Sequence, residues 1–278
     1  MRVVHSAAEL AAALAGRGRV GFVPTMGNLH AGHLSLLELA RRHADFSVAS
    51  IFVNPLQFGA GEDFERYPRT LDADCAQLAD AACDLVFAPA VSELYPVPQT
   101  FLVEPPAALA NDLCGAFRPG HFAGVATVVL KLFNLVRPDI AVFGKKDYQQ
   151  LAVIRGLTRQ FNLPIEIVGG ETARAADGLA LSSRNQYLGA DERPRAAQLA
   201  RELAAIARTI AGGERDYPRL AHDAARRLKM AGWQVDYVAV RAAETLAEPG
   251  ADDRELVTLA AARLGATRLI DNLEIRLA

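Results

Sequence analysis

A chain of 278 residues can fold as two domains or one large one and can bury a substantial core. Its composition is that of a globular protein, 51% hydrophobic and 22% charged. A formal net charge of −2 argues against a dedicated nucleic-acid or membrane-surface binder, whose footprint is normally basic. The cysteines Cys75, Cys83 and Cys114 are odd in number and widely spaced. They fit neither a disulfide framework nor zinc-ligand spacing, so reduced thiols in a cytosolic protein are expected. No stretch reaches the roughly 18 uninterrupted apolar residues of a spanning helix.

In chain order, residues 1–18 carry Arg2 and an alanine-rich run with a faint look of a signal peptide. Glu9 interrupts the run and a strand-like segment follows at Val20, so an amphipathic first helix and a cytoplasmic location are expected. Short apolar runs at Arg19–Val23, Phe46–Val53, Asp84–Ala88, Asp139–Phe143 and Pro164–Val168 are near-continuous in hydrophobic residues, as in strands covered on both faces. Helical patterns lie between them at His33–His43, Leu71–Ala82, Val125–Leu135 and Tyr148–Phe161. That alternation predicts a parallel sheet with crossover helices, an α/β domain over residues 1–169. Gly169–Gly170 breaks the pattern and reads as a hinge. Beyond it, helices at Asp191–Ala211 and Asp216–Ala231 precede strands at Val235–Arg241, Glu255–Leu264 and Ala266–Ile275. Gly265–Ala266 makes the last two an antiparallel pair. Residues 170–278 therefore form a smaller α+β domain, expected to act as a lid.

Four constellations carry chemistry. The first runs from Val23 through Met26, Gly27, Asn28, Leu29, His30, Ala31 and Gly32 to His33. It joins the first apolar strand to a helix, where backbone N–H groups and the helix dipole favour a phosphate. His30 and His33 share a face of one helical turn and can donate to phosphate oxygens. The bland alternative is that one histidine caps the helix and the other is packed. His-x-Gly-His at a strand–loop–helix junction nevertheless resembles the signature of the HIGH-type nucleotidyltransferase superfamily.

The second constellation, Gly144, Lys145, Lys146, Asp147, Tyr148, Gln149 and Gln150, again follows a strand and opens a helix. Lysines there suit phosphate and the aspartate suits ribose hydroxyls; a solvated charged loop is the alternative. The third runs from Asp177 through Leu181, Ser182, Ser183 and Arg184 to Asn185, a hydroxyl–guanidinium set fitted to closing on a triphosphate and similar to the KMSKS loop of the same superfamily. An ordinary cap with an exposed arginine reads equally well locally. The fourth is Asn54–Pro55–Leu56–Gln57, a turn presenting a neutral donor and acceptor that can orient a carboxylate; a surface glutamine is the even alternative.

These motifs together resemble the pantoate–β-alanine ligase family nearly end to end. Arg66–Thr70, Arg118–Phe122, Lys131–Asn134, Asp147–Gln150 and Arg268–Asn272 join the segments already named. The resemblance implies ATP-dependent condensation of pantoate with β-alanine through pantoyl adenylate, with Mg²⁺, in a homodimer that binds neither nucleic acid nor membrane. It implies His33 and His30 as catalytic residues, with ATP held by Met26 to His33, Gly144 to Asp147, the Ala173 backbone and Leu181 to Arg184. Gln57 and Gln150 would bind pantoate, and Gln57 would border β-alanine. Asp74 and Gln77 are weak candidates for Mg²⁺, Lys145 is expected to point to solvent, and Arg118 and His121 receive no role. The alternative function is a nucleotidyltransferase that leaves the nucleotide on its product.

Overall fold

Each of the five apolar runs of the first 168 residues becomes a parallel strand in the computed structural model, which describes residues 1–59 and 61–277. The chain divides into two units, Met1–Gly144 with Val153–Glu171, and Lys145–Ala152 with the residues from Thr172 onward. In the first unit β1 (Arg2–Val4), α1 (Ala7–Leu14), β2 (Val20–Thr25), α2 (Ala31–His43) and β3 (Phe46–Ile51) are followed by α3 (Leu71–Asp80) and β4 (Leu85–Phe87). Then come α4 (His121–Val136), β5 (Ile140–Gly144), α5 (Tyr148–Gln160), of which Val153 onward belongs to this unit, and β6 (Glu166–Gly170).

The sheet order is β1-β4-β3-β2-β5-β6. From β2 the chain steps outward through β3 to β4, then returns to place β5 on the other side of β2. The reversal leaves a crevice at the carboxyl ends of β2 and β5, the position where open α/β sheets bind ligands. One face of the sheet buries Val23, Ala49, Val86 and Val142 against Leu37 and Ala40 of α2. The other side meets α4, where Phe133 packs edge-on to Phe22 and Phe143, with ring centroids 6.5 and 6.3 Å apart. Each such fully buried side chain contributes about 1.5–3 kcal/mol of transfer free energy. The cysteines form no disulfide, and burial pushes the Cys83 thiol up to about 11.

Three expectations need correction here. The N-terminus is a strand and then a helix: Val3 and Val4 pair with β4, and a Ser6–Glu9 capping box sets the start of α1. Gly169 and Gly170 are themselves part of β6, opposite Phe143 and Gly144, and the chain passes into the second unit just beyond them, after Glu171. A Cβ on Gly170 would lie 2.2 Å from Leu36 Cδ2, so the glycine serves close approach of α2 to the sheet. The helix expected from Asp191 is two, a short turn Arg193–Ala196 opened by Pro194 and then α6 (Gln198–Ala211).

The second unit continues with α7 (Tyr217–Met230), β7 (Gln234–Ala242), β8 (Glu255–Leu264) and β9 (Thr267–Arg276). Its three strands form an antiparallel sheet in chain order, and Gly265, at φ +55°, turns β8 into β9. Leu199, Leu203, Leu228 and Trp233 pack on Ala260 and Ala262 of β8. Residues 145–152 count with this unit because β9 holds them. Asn272 Nδ2 donates to the carbonyls of Lys145 and Lys146, both at 2.8 Å. No described helix is long and apolar enough to cross a membrane.

Candidate active site

The loop after β2 reverses through Gly27 and Asn28, at φ +82° and +50°. That left-handed pair is held by Asp74 of α3, whose carboxylate is 1% exposed. One oxygen accepts from Asn28 N–H at 2.9 Å and from Thr70 Oγ1 at 3.0 Å; the other accepts from Leu29 N–H at 2.8 Å. Asp74 is therefore engaged by the loop, which is the physical reason against its candidacy for Mg²⁺. Gln77 lies one turn further along α3, half-buried. Among the described residues no group of three or more His, Cys, Asp or Glu side chains could hold a metal ion. Asp74→Asn keeps the volume but turns an NH₂ toward a buried N–H donor. It is expected to lower stability by about 1–3 kcal/mol and to weaken ATP binding, checked by thermal melting and by KM for ATP.

The loop delivers His30 to the N-cap of α2, which begins at Ala31, two residues before the expected start at His33. Histidine is not a usual N-cap residue, but here both imidazoles serve the cap. His30 Nδ1 accepts from Gly32 N–H at 3.1 Å, and His33 Nδ1 accepts from His30 N–H at 3.2 Å. The ring centroids stand 4.1 Å apart. Since Nδ1 accepts in both rings, the proton of each neutral imidazole sits on Nε2. Capping and chemistry are thus not alternatives: one nitrogen of each ring builds the helix start and the other is a donor.

After β3, Asn54 caps a single 3₁₀ turn, Pro55–Gln57. Asn54 Oδ1 accepts from Leu56 N–H at 3.3 Å and from Tyr95 OH at 2.8 Å. Burial pushes the Tyr95 phenol well above its ordinary value, so it remains a donor. Asn54 Nδ2 donates to Gly124 O at 3.2 Å and to Gln57 Oε1 at 3.1 Å. The two main-chain partners fix which end of the Asn54 amide is nitrogen, and Asn54 then fixes Gln57. Gln57 consequently turns Nε2 toward Met26 Sδ, 3.2 Å away. Gln57 is 9% exposed, which removes the surface-glutamine alternative. The first unit so brings Met26 and Gln57 together beside the loop that carries His30.

Arg118 and His121 lie against the same turn. Arg118 forks onto Glu62 at 2.8 and 2.7 Å. Burial would raise the Glu62 carboxyl, but the bonds from Arg118 prevail and hold it below the ordinary range. Arg118 also reaches His121 Nε2 at 2.9 Å, and His121 Nδ1 meets Gln57 O at 2.8 Å.

In the second unit, Lys145 does not point to solvent: its ammonium lies 2.6 Å from Glu274, which also accepts from Tyr148 OH at 3.0 Å. Lys146 is 3.3 Å from Asp147. Arg174 forms a two-bond pair with Asp271 at 2.8 and 2.9 Å, and Asp271 is 4% exposed. The Ala173 carbonyl accepts from Leu181 N–H at 2.9 Å, which ties the expected adenine-contact segment to the Ser-Ser-Arg loop. Ser182 caps the 3₁₀ turn Ser183–Tyr187 by accepting from Arg184 N–H at 3.2 Å. Gln149 is buried and Gln150 half-buried at the start of α5. Gly144 ends β5, opposite Gly170.

Sequence reasoning missed the supports. Asp271 and Asn272 stood inside quoted motifs and acquired no role, and Asn54 was read only as part of its turn, although a buried amide or carboxylate next to a turn needs partners. Glu62 carried no signal at all.

A family model described as Pantoate-beta-alanine ligase matches residues 2–274. A pantothenate synthetase of Thiobacillus denitrificans is 69% identical over 275 residues, covering 99% of this chain and 97% of that one. One from Neisseria meningitidis serogroup C is 59% identical over 278 residues and covers all of both chains. Among solved structures, a pantothenate synthetase from Thermus thermophilus has a TM-score of 0.94 at 49% identity, covering 99% of this chain and 100% of that one. A pantoate-beta-alanine ligase from Francisella tularensis, complexed with beta-gamma ATP and beta-alanine, has a TM-score of 0.78 at 31% identity, covering 98% and 97%.

Proposed function

The chain belongs to the pantoate–β-alanine ligase family, and from that premise we propose that it condenses pantoate with β-alanine using ATP, through pantoyl adenylate. In the first step a pantoate carboxylate oxygen attacks the α-phosphorus and the bond to pyrophosphate breaks. In the second, the β-alanine amine attacks the acyl carbon, the proton leaves with solvent, and AMP departs with that pantoate oxygen. A free carboxylate is a poor acyl donor; the mixed anhydride supplies the leaving group, and exclusion of water protects it.

The observation that carries this reading is the imidazole pair at the amino end of α2, 4.1 Å apart, with Nε2 of each ring as donor. Negative charge builds on the α-phosphate oxygens in the transition state, and fixed donors beside a helix N-terminus stabilise it without reorganisation. His33 and His30 fill that catalytic role. Met26 to Gly32 form the rest of the ATP loop. In the second unit, Lys146, Asp147, Ala173 and Leu181 to Arg184 contact the nucleotide, and Lys145, paired with Glu274, shapes the segment. Gln57 and Gln150 orient pantoate by hydrogen bonds that leave its carboxylate oxygen nucleophilic. Gln57 also borders β-alanine.

The described residues build no cation cage, so the Mg²⁺ that the family resemblance implies would be held on the phosphates of ATP, whose charge it would offset. A cytoplasmic homodimer completes the proposal, supported by family resemblance. The test is exchange of labelled pyrophosphate into ATP across a panel of hydroxy acids. Exchange with pantoate alone is the expected result. Exchange with another acid and not with pantoate would refute the substrate assignment.

A further inference from the structure

The main chain of the Pro55–Gln57 turn holds it only loosely. Its own main-chain bonds, Gln57 N–H to Asn54 O and Phe58 N–H to Pro55 O, are both 3.4 Å long, at the weak end of the range. The Gln57 carbonyl, by contrast, receives two donors from outside the turn, His121 Nδ1 at 2.8 Å and Arg118 Nη2 at 3.3 Å. The stronger hold comes from the start of α4 and the residues just before it.

The protonation of His121 follows from its partners. A carbonyl only accepts and a guanidinium only donates, so Nδ1 carries the proton, Nε2 is the acceptor, and the ring is neutral. Arg118 is itself fixed by its fork onto Glu62, and the His121 ring packs edge-on to Phe122 with centroids 4.9 Å apart. A chain of oriented groups thus runs Glu62–Arg118–His121–Gln57 carbonyl. A second runs Tyr95–Asn54–Gln57 carboxamide. The first fixes where the residue sits, and the second fixes which end of its amide is nitrogen.

We propose that Arg118 and His121 are positioning residues for the hydroxy-acid substrate, acting by clamping the main-chain carbonyl of Gln57 so that its side chain meets the substrate already ordered. The proposal rests on the role given to Gln57 above. A glutamine left to order itself on binding gives up its rotamer freedom at that moment, which weakens binding of the groups it contacts and leaves ATP binding unchanged.

The test is steady-state kinetics on the full-length chain, with His121→Ala, His121→Asn, Arg118→Met, Gln57→Ala and the double variant His121→Ala/Gln57→Ala. Losing the clamp is expected to raise KM for pantoate about tenfold, the effect of one buried hydrogen bond. KM for ATP should stay within about twofold, since no ATP contact is altered. His121→Asn keeps an N–H donor near the Nδ1 position and is expected to restore most of the pantoate KM. Because the clamp acts through Gln57, the double variant should be no worse than Gln57→Ala alone. Should His121→Ala fail to fold, Arg118→Met against His121→Asn gives the same comparison. The proposal is overturned by a normal pantoate KM in the clamp variants, by an equal rise in both KM values, or by full additivity with Gln57→Ala. A normal pantoate KM in Gln57→Ala itself would overturn the role of Gln57 instead.

Discussion

His33→Ala is expected to lower pantoate-dependent exchange of pyrophosphate into ATP by about a hundred- to a thousandfold, the usual effect of deleting one donor to a developing oxyanion. The chain should remain folded. His33 Nδ1 also closes the cap of α2 on His30 N–H, but loss of such a cap costs only about 0.5–2 kcal/mol. His33→Asn separates the two contributions. Its side-chain oxygen can replace Nδ1 as the acceptor at the cap, and nothing replaces the Nε2 donor. The asparagine variant should therefore melt like the native chain and be as slow as the alanine variant. Recovery of exchange in His33→Asn would assign His33 to the cap alone.

Gly124→Ala should be the second large effect, and its sign is decided by magnitudes. Gly124 sits in the first turn of α4, where alanine would gain about 1 kcal/mol of helix propensity. A Cβ there, however, would lie 2.2 Å from Leu56 O and 2.5 Å from Leu56 C, both backbone atoms that cannot rotate away. The Pro55–Gln57 turn must shift by about an ångström, and overpacking of this kind costs about 1–3 kcal/mol or more. The steric term prevails, so a lower melting temperature is expected. The displaced turn carries Gln57, and an ångström of misplacement can cost about a hundredfold in rate, so kcat/KM for pantoate should fall by that order. A variant as stable and as active as the native chain would show that α4 does not set the position of the turn.

The extent to which these features were legible in the sequence follows from what each depends on. The five runs of the parallel sheet were legible because burial on both faces forces continuous hydrophobicity, as in the pattern of β2. The β2–loop–α2 junction was legible because His-x-Gly-His is a local pattern. The start of α2 was misplaced because an imidazole replaced the usual capping oxygen. β1 escaped notice because three residues give no period. Asp74 is a different case. The acidic pair Asp72 and Asp74 with Gln77 nearby suggests a cation, whereas the carboxylate of Asp74 accepts from the main-chain N–H groups of Asn28 and Leu29, 46 and 45 residues away. Main-chain donors leave no mark in a sequence. Gly169–Gly170 was read as a break because glycine usually signals a turn, but Gly170 is small to admit Leu36. Lys145 and the clamp on Gln57 were illegible for the same reason, since Glu274 and Glu62 become partners only through tertiary packing.

The mechanism stands on a covalent link between the acid and AMP, formed before the amine arrives. Pantoate labelled with oxygen-18 in both carboxylate oxygens, turned over with ATP and β-alanine, reports that link directly in the mass of the product AMP. One labelled oxygen in each AMP, with the other retained in the pantothenate amide, is the expected result. AMP without label would mean that no acyl adenylate forms.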